Sequence, residues 1–318
     1  MIFPRRGMER PDVLVHPALG QDAAVVDFGS EVAVLSSDPI TGAGQDAGWL
    51  AVHIAVNDVA ACGARPVGVL MTMLLAPETA RADAHRLMEE ANRAARELGI
   101  EILGGHSEIT AGLSRSLVVL TALGRAARDR YVTAAGARPG DTLLLTKAAG
   151  LEGTAILAAD FPGALAGSLP LDLLARARAF RERISIVPEA LAAVEAGATA
   201  MHDATEGGIL GAASELAAAA GVGVEIDADR VPVLPETRAI CEAVGIDPLA
   251  LVSSGALLIT TPRPDAVIRS IASRGCPVTA IGRVVAGRSR LRRGSFETEL
   301  LAPERDALWD AIERLERG

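Results

Sequence analysis

From Trp49 to Pro66 the chain reads WLAVHIAVNDVAACGARP, a helix-length run with aliphatic residues on every face and one polar pair, Asn57-Asp58, in its second half. A helix of that content is buried rather than solvent-facing. An ionised carboxylate carried into such a place is strongly destabilising unless it is paired. Two readings of Asp58 follow. Either the pair ends the helix by bonding local backbone, with Cys62-Gly63 as the stop and Pro66 blocking continuation, or Asp58 handles a metal or a phosphate. Asp38, in Ser36-Ser37-Asp38-Pro39, follows an apolar strand. Two carboxylates at the ends of buried elements suit Mg2+, which takes oxygen ligands and keeps its own waters.

Around this helix the pattern alternates. Val25 to Phe28 and Val32 to Ser37, joined by Gly29-Ser30, predict a hairpin with Asp22 at the entrance of its first strand and Asp38 at the exit of its second. The loop from Thr41 to Gly48, TGAGQDAG, matches neither GxGxxG nor GxxxxGK[ST] and reads as either a connection or a functional loop. Val67 to Leu75 reads as a strand, and Ala80 to Leu98 as a helix stopped by Gly99. The next strand, from Ile100, breaks at Gly104-Gly105 and then presents His106, Ser107 and Glu108. Paired glycines let backbone approach a ligand closely, and His106 is either structural or part of a site. Leu117 to Gly124 closes this half.

The pattern lapses between Arg125 and Gly140, which places a boundary between a domain at 1–130 and one at 137–318. Thr142 to Thr146 restarts as a strand, and Lys147 stands on the turn into a helix opened by Gly150, where an anion is favoured. Helices are expected over Leu171 to Arg183 and Pro188 to Ala196. A strand, Ala198 to Met201, then delivers His202-Asp203-Ala204-Thr205-Glu206-Gly207-Gly208 into a helix over Ile209 to Ala220. There Asp203 or Thr205 caps the helix, or Asp203 serves a site.

Composition narrows the function classes. Half of the 318 residues are apolar, enough for two cores. The net charge of −9 and an aromatic content of 3%, without a basic stripe, argue against a nucleic-acid surface. No apolar run is long enough to span a membrane, and the first residues lack the apolar segment of a signal peptide, so a cytoplasmic protein is expected. Cys62, Cys241 and Cys276 are isolated in sequence and read as inert thiols. Of the 31 Lys and Arg residues only Lys147 is lysine. It is either surface decoration or a compact charge for a phosphate. In the second case Lys147→Arg lowers nucleotide affinity and leaves stability unchanged.

Taken together, Gly20-x-Asp22-Ala-Ala, Ser37-Asp38-Pro39, Val56-Asn57-Asp58 through Pro66, Gly104-Gly105-x-x-Glu108 and His202-Asp203-x-Thr-x-Gly207-Gly208 resemble one superfamily. It comprises aminoimidazole ribonucleotide synthetase, thiamine-monophosphate kinase, selenophosphate synthetase and the carbamoyl-dehydrating hydrogenase maturation protein. The segment from Pro235 to Leu249, followed by Ser253-Ser254-Gly255, is similar to the hydrogenase expression/formation branch. The resemblance implies an α/β plus α+β architecture of two domains. The N-terminal sheet pairs into a barrel across a homodimer, and ATP lies in the cleft between domains with its phosphates held through Mg2+. Asp22, Asp38 and Asp58 become the metal ligands, and Asn57, Gly104, Gly105 and Asp203 lie near phosphates, with Glu108 beside them and Lys147 or the Gly207-Gly208 helix start adding electrostatic stabilisation.

Two departures stand out. His106 occupies the place of an acid in the Gly-Gly-Asp of kinase and maturation relatives, with Glu108 two positions on. The chain ends Arg314-Leu-Glu-Arg-Gly318 with no cysteine after Cys276, so thiocarbamate dehydration is not expected. The expected activity is Mg2+- and ATP-dependent phosphorylation or activation of an oxygen on a small-molecule substrate. The alternative is a nucleotide-binding dimer without catalysis that serves a maturation-protein partner.

Overall fold

Alternating apolar positions make the strands of the first unit, and one apolar helix decides which of their faces is core. The computed structural model describes residues 7–40 and 46–317; residues 41–45 of the glycine-rich loop lie outside this range. The chain divides into two compact units, Met1–Pro17 with Asp22–Tyr131, and Ala18–Gln21 with Val132–Gly318.

The first unit contains β1 (Val13–Val15), β2 (Ala24–Asp27), β3 (Glu31–Ile40), α1 (Ala47–Ala61), β4 (Arg65–Leu75), α2 (Arg81–Leu98), β5 (Glu101–Ile109) and β6 (Leu117–Ala127). Its sheet runs β1-β2-β3-β6-β4-β5, and only the β4–β5 pair at the edge is parallel. Val32, Val34, Val69, Met71, Leu120 and Ala122 face the core with Val52, Val56 and Val59 of α1, all buried. The opposite face keeps Leu35, Val119 and Leu123 half-buried and Leu70 47% exposed. In the single chain this sheet is open rather than closed into a barrel. One expectation is corrected: β5 does not break at Gly104-Gly105 but continues through both, with a register shift against β4 between Val69 and Leu70.

The second unit follows with β7 (Thr142–Thr146), α3 (Leu151–Asp160), α4 (Pro162–Ala166), α5 (Leu171–Arg178), α6 (Val187–Ala196), β8 (Ala200–Ala204), α7 (Gly208–Ala220), β9 (Gly223–Asp227), α8 (Pro235–Val244), β10 (Ala256–Thr261), α9 (Pro264–Ala272), β11 (Val278–Val285), β12 (Arg290–Arg293), β13 (Phe296–Glu299) and α10 (Ala307–Arg317). The sheet order is β13-β12-β9-β11-β7-β10-β8. Ile209, Ala212, Ala213 and Leu216 of α7 pack into a core with Leu143, Leu145, Leu258 and Ile281. A second core gathers α3, α5, α8 and α10 around Leu157, Leu174, Ile240, Leu251 and Leu308. His202 and Asp203 belong to β8 rather than to the loop expected after it, because β10 pairs with them in register. Among the described residues no helix is long and apolar enough to cross a membrane.

The start of α1 shows how closely its packing is set. Asp46, in the left-handed region at φ 61°, makes no side-chain cap. The missing acceptor comes from α2, where Glu90 takes the Gly48 N–H at 3.0 Å and the Asp46 N–H at 3.3 Å. Trp49 Nε1 donates to Glu97 of the same helix at 2.8 Å. A Cβ on Gly48 would lie 2.2 Å from the Leu87 carbonyl oxygen. Gly→Ala inside an exposed helix ordinarily stabilises by about 1 kcal/mol. Here Gly48→Ala is expected to destabilise by about 1–3 kcal/mol, as overpacking does. Urea unfolding checks this, and a neutral or stabilising result would contradict the close contact of α1 with α2.

Candidate functional site

In the first unit the structure brings Asp38 and Asp58 together around one hydroxyl. Asp38 lies near the end of β3 on its core-facing row, and Asp58 lies in the last turn of α1. Ser36 Oγ is 2.5 Å from Asp58 Oδ2 and 3.2 Å from Asp38 Oδ2. A hydroxyl carries one proton, so it donates to one carboxylate at a time, and the short contact assigns it to Asp58. Asp58 therefore reaches across to β3 in addition to sitting near a helix end. Asn57 beside it is wholly buried. Asp22 precedes β2, and the pairing of Ala24 with Leu35 puts it at the same end of the sheet as Asp38. The donors Asp38, Asp58 and Ser36 are all hard oxygens, the set that Mg2+ takes.

The β5 residues lie elsewhere. Register across the sheet aligns Asp38 with Leu120, Met71 and Gly105. Gly105 is thus level with Asp38 but three strand spacings away, about 14 Å. Within one chain Gly104, Gly105, His106 and Glu108 do not join the Asp38–Asp58 cluster. Gly105 has a nearer reason to be glycine: a Cβ there would lie 1.8 Å from the Met71 carbonyl oxygen, so the backbone it approaches is β4. His106 Nε2 and Glu108 Oε2 are 3.2 Å apart on the exposed edge. The His106 bond, then that from Thr110, hold the Glu108 carboxyl below the usual range.

In the second unit several expected ligand contacts are already committed. Lys147 is not on the surface: its side chain is 10% exposed, and its backbone sits in the left-handed region at φ 52°. Its ammonium donates to Ser185 O at 2.6 Å, to Gly255 O at 2.8 Å and to Glu189. All three donors are used, so a phosphate would have to displace one. Gly207 N–H donates to Asp306 Oδ2 at 2.6 Å and Gly208 N–H to Thr205 O at 3.0 Å. Neither amide is open to a phosphate. A Cβ on Gly208 would lie 2.6 Å from the carbonyl oxygens of Leu249 and Leu251, which explains the glycine by packing. Asp203 is 3% exposed within β8 and does not cap α7, whose N-cap is Gly207. His202 Nε2 lies 2.9 Å from Glu215 of α7.

Two carboxylates carry no local sequence signal strong enough to single them out. Glu152, in the first turn of α3, is buried, and desolvation pushes its carboxyl up to about 7. The N–H and hydroxyl of Ser254 oppose that rise, while the charges of Glu206 and Asp306 add to it. Burial also raises Asp306, against the pull of the Leu308, Gly207 and Val252 N–H groups. Glu152 stands two residues after Gly150 and directly before Gly153, a spacing that hints at a special helix start, but Asp306 has no such mark. Burial pushes the thiols of Cys241 and Cys276 up to about 12 and about 11, so both stay protonated near neutrality.

Residues 20–126 match the family model described as AIR synthase related protein, N-terminal domain, and residues 138–293 match its C-terminal domain. The chain belongs to the AIR synthase-related family. Carbamoyl dehydratase HypE of Rhodobacter capsulatus is 31% identical over 300 residues, which cover 92% of this chain and 85% of that one. A putative hydrogenase expression/formation protein of Methanocaldococcus jannaschii is 26% identical over 77% of this chain and 72% of its own. In fold, the chain is similar to the hydrogenase maturation protein HypE in complex with ATP, with a TM-score of 0.75, 24% identity and coverage of 94% and 92%. It is also similar to AaThiL complexed with AMPPCP and TMP, with a TM-score of 0.73, 21% identity and coverage of 89% and 92%.

Within this family member, Lys147 acts first on stability. Removing one partner of a buried pair typically costs about 3–5 kcal/mol. Lys147→Met and Lys147→Arg are each expected to destabilise the second unit by about 3 kcal/mol, the guanidinium being too long and planar for three acceptors set around one nitrogen. Thermal and urea unfolding measure this directly. An Arg variant as stable as the parent would return the residue to the surface reading.

Proposed function

We propose that the protein is a Mg2+-dependent, ATP-using cytoplasmic enzyme that phosphorylates or otherwise activates an oxygen of a small-molecule substrate, and that it works as a homodimer. The observation that supports this most is the convergence of Asp38 and Asp58 on the Ser36 hydroxyl. Asp38 and Asp58 would hold the ion, with Ser36 orienting the second carboxylate and Asp22 approaching from the same end of the sheet. Bound Mg2+ would neutralise charge on the phosphates and on the group being transferred. Asp203, buried in β8, is the acid of the second unit proposed to act near phosphates. Carbamoyl dehydration, the activity in the name of the Rhodobacter capsulatus relative, is one such activation, that of an amide oxygen.

The first unit supports the dimer. Among the described residues of this unit, α1 packs on one face of its sheet and β5 ends it as an edge strand, an arrangement that invites pairing with another chain. A second copy closing the sheet into a barrel would cover Leu70 and bring its own Gly104-to-Glu108 string, His106 included, toward the oxygen cluster. The committed donors of Lys147, Gly207 and Gly208 favour a second reading, a nucleotide-binding dimer without turnover that serves a maturation partner.

ATP with Mg2+ at about 100 times its Kd is expected to stabilise the protein by about 2.7 kcal/mol, and the gain should vanish with a chelator. Asp38→Asn and Asp58→Asn should each abolish most of that gain without destabilising the free protein, because each also removes a repelling charge. Equal stabilisation by ATP with and without chelator would overturn the Mg2+ reading. Light scattering should give twice the chain mass. Phosphate release in the presence of small carboxamides, carboxylates and alcohols separates the enzyme from the non-catalytic dimer.

A further inference from the structure

Backbone amides from three separate segments meet at one carboxylate. Asp306 Oδ2 takes the Gly207 N–H at 2.6 Å, while Oδ1 takes the Leu308 N–H at 2.7 Å and the Val252 N–H at 3.2 Å. The Leu308 bond is a helix cap, since Asp306 directly precedes α10 and serves an amide of its first turn. The other two are not local. Gly207 lies 99 residues away at the start of α7, and Val252 lies 54 residues away in the loop that leads into β10. Asp306 is 6% exposed, so bulk solvent does not replace these bonds.

The two remote partners border the same end of one strand pair. Ala204 at the end of β8 is opposite Ala256 at the start of β10, so the 205–208 turn and the 252–255 loop leave the sheet side by side. Ser253 N–H donates to Thr205 O at 3.3 Å between them. The loop is also tied to the start of α3, where Gly153 N–H donates to Val252 O at 3.0 Å and Gly150 N–H to Ser253 Oγ at 2.7 Å. The turn is soft by sequence. Gly207 at φ 75° and Gly208 at φ 59° are consecutive left-handed residues, and a free glycine spreads over both signs of φ. The bond from Gly208 N–H to Thr205 O at 3.0 Å closes the turn on itself, and the bond to Asp306 fixes where it points.

We propose that Asp306 is a positioning residue for the second-unit part of the site: from the entrance of α10 its carboxylate holds the 205–208 turn, and with it the end of β8 that carries Asp203, against the 252–255 loop. That Asp203 works near phosphates rests on the function proposed above; the hold of Asp306 on the turn does not. Asp306 lies beyond residue 293, where the match to the C-terminal family model ends, so α10 joins the frame of the site from outside the matched segment.

Geometry separates this role from plain support of the fold. Asn at this position keeps the shape but offers one acceptor oxygen and an NH2. With its oxygen on the Leu308 and Val252 amides, its NH2 faces the Gly207 N–H, donor against donor. Ser keeps the cap of α10, but its single hydroxyl oxygen is too close to its own backbone to reach Gly207 as well.

The test is amide exchange of the full chain, resolved at Gly207 and Leu308, together with titration by Mg2+-ATP. The proteins are the parent, Asp306→Asn, Asp306→Ser and a control, Ala311→Gly, which weakens α10 in its interior without touching Asp306. In Asp306→Asn the Gly207 amide should exchange about tenfold faster than in the parent, and the Leu308 amide less than about twofold faster. Asp306→Ser should show the same split, and it carries the test if Asp306→Asn fails to fold. Both should bind Mg2+-ATP about tenfold more weakly, because the turn must then be ordered on binding. Ala311→Gly should move both amides together and keep the parent's affinity. Equal loss of protection at Gly207 and Leu308 in the Asp306 variants, or a Gly207-selective loss in Ala311→Gly, would overturn the hold on the turn. A Gly207-selective loss with unchanged Mg2+-ATP affinity would overturn the positioning role. A parent that binds no Mg2+-ATP would count against the proposed function, and the exchange pattern would still decide whether Asp306 sets the turn.

Discussion

The Lys147 ammonium gives its three donors to Ser185 O, Gly255 O and Glu189, and the second unit is arranged so that it can. An ammonium so little exposed must have its donors satisfied. Satisfying them pins the end of β7 to the segment before α6, to Glu189 inside α6, and to the loop that leads into β10. That loop in turn receives the first amides of α3 and reaches the turn into α7. The first unit solves the same problem on a smaller scale. Asp58 sits in a helix whose other residues are nearly all buried, and the donor it meets, Ser36, comes from β3. The polar interruption in the apolar helix is thereby what fixes α1 in register over the sheet.

What was legible in the sequence follows from the reach of each interaction. The hairpin of β2 and β3, the helix α1, the stop of α2 at Gly99 and the strand β7 all depend on neighbours within a few residues, and the pattern along the chain reported them. Asp38 and Asp58 could be suspected together because each is a carboxylate at the end of an apolar element, although Ser36 as the hydroxyl between them was not marked. Lys147 was conspicuous by type and misleading by position. Its partner Gly255 is 108 residues away, and no local pattern announces a carbonyl oxygen at that separation. The glycines show the same reach: Gly105 and Gly208 mark close approaches of backbone, to Met71 and to the carbonyls of Leu249 and Leu251, which no local pattern announces.

The helix starts of the second unit carry this further. A helix N-terminus attracts an anion because its first amides are unsatisfied, and from sequence both α3 and α7 look open. In the fold each is closed from within. Ser253 Oγ takes the Gly150 amide, and Asp306, 99 residues beyond Gly207, supplies a carboxylate to the start of α7. The chain thus spends the anion-binding capacity of these two helices on its own side chains. It also crowds acidic groups there, since the charges of Glu206 and Asp306 add to the rise of the Glu152 carboxyl and that of Glu206 to the rise of Asp306. Such a region repels a phosphate by itself. The first unit leaves its acids in the opposite condition: the Ser36 hydroxyl has one proton, given to Asp58, so the Asp38 and Asp58 carboxylates beside it are the kind of hard-oxygen pair that gains from a cation between them.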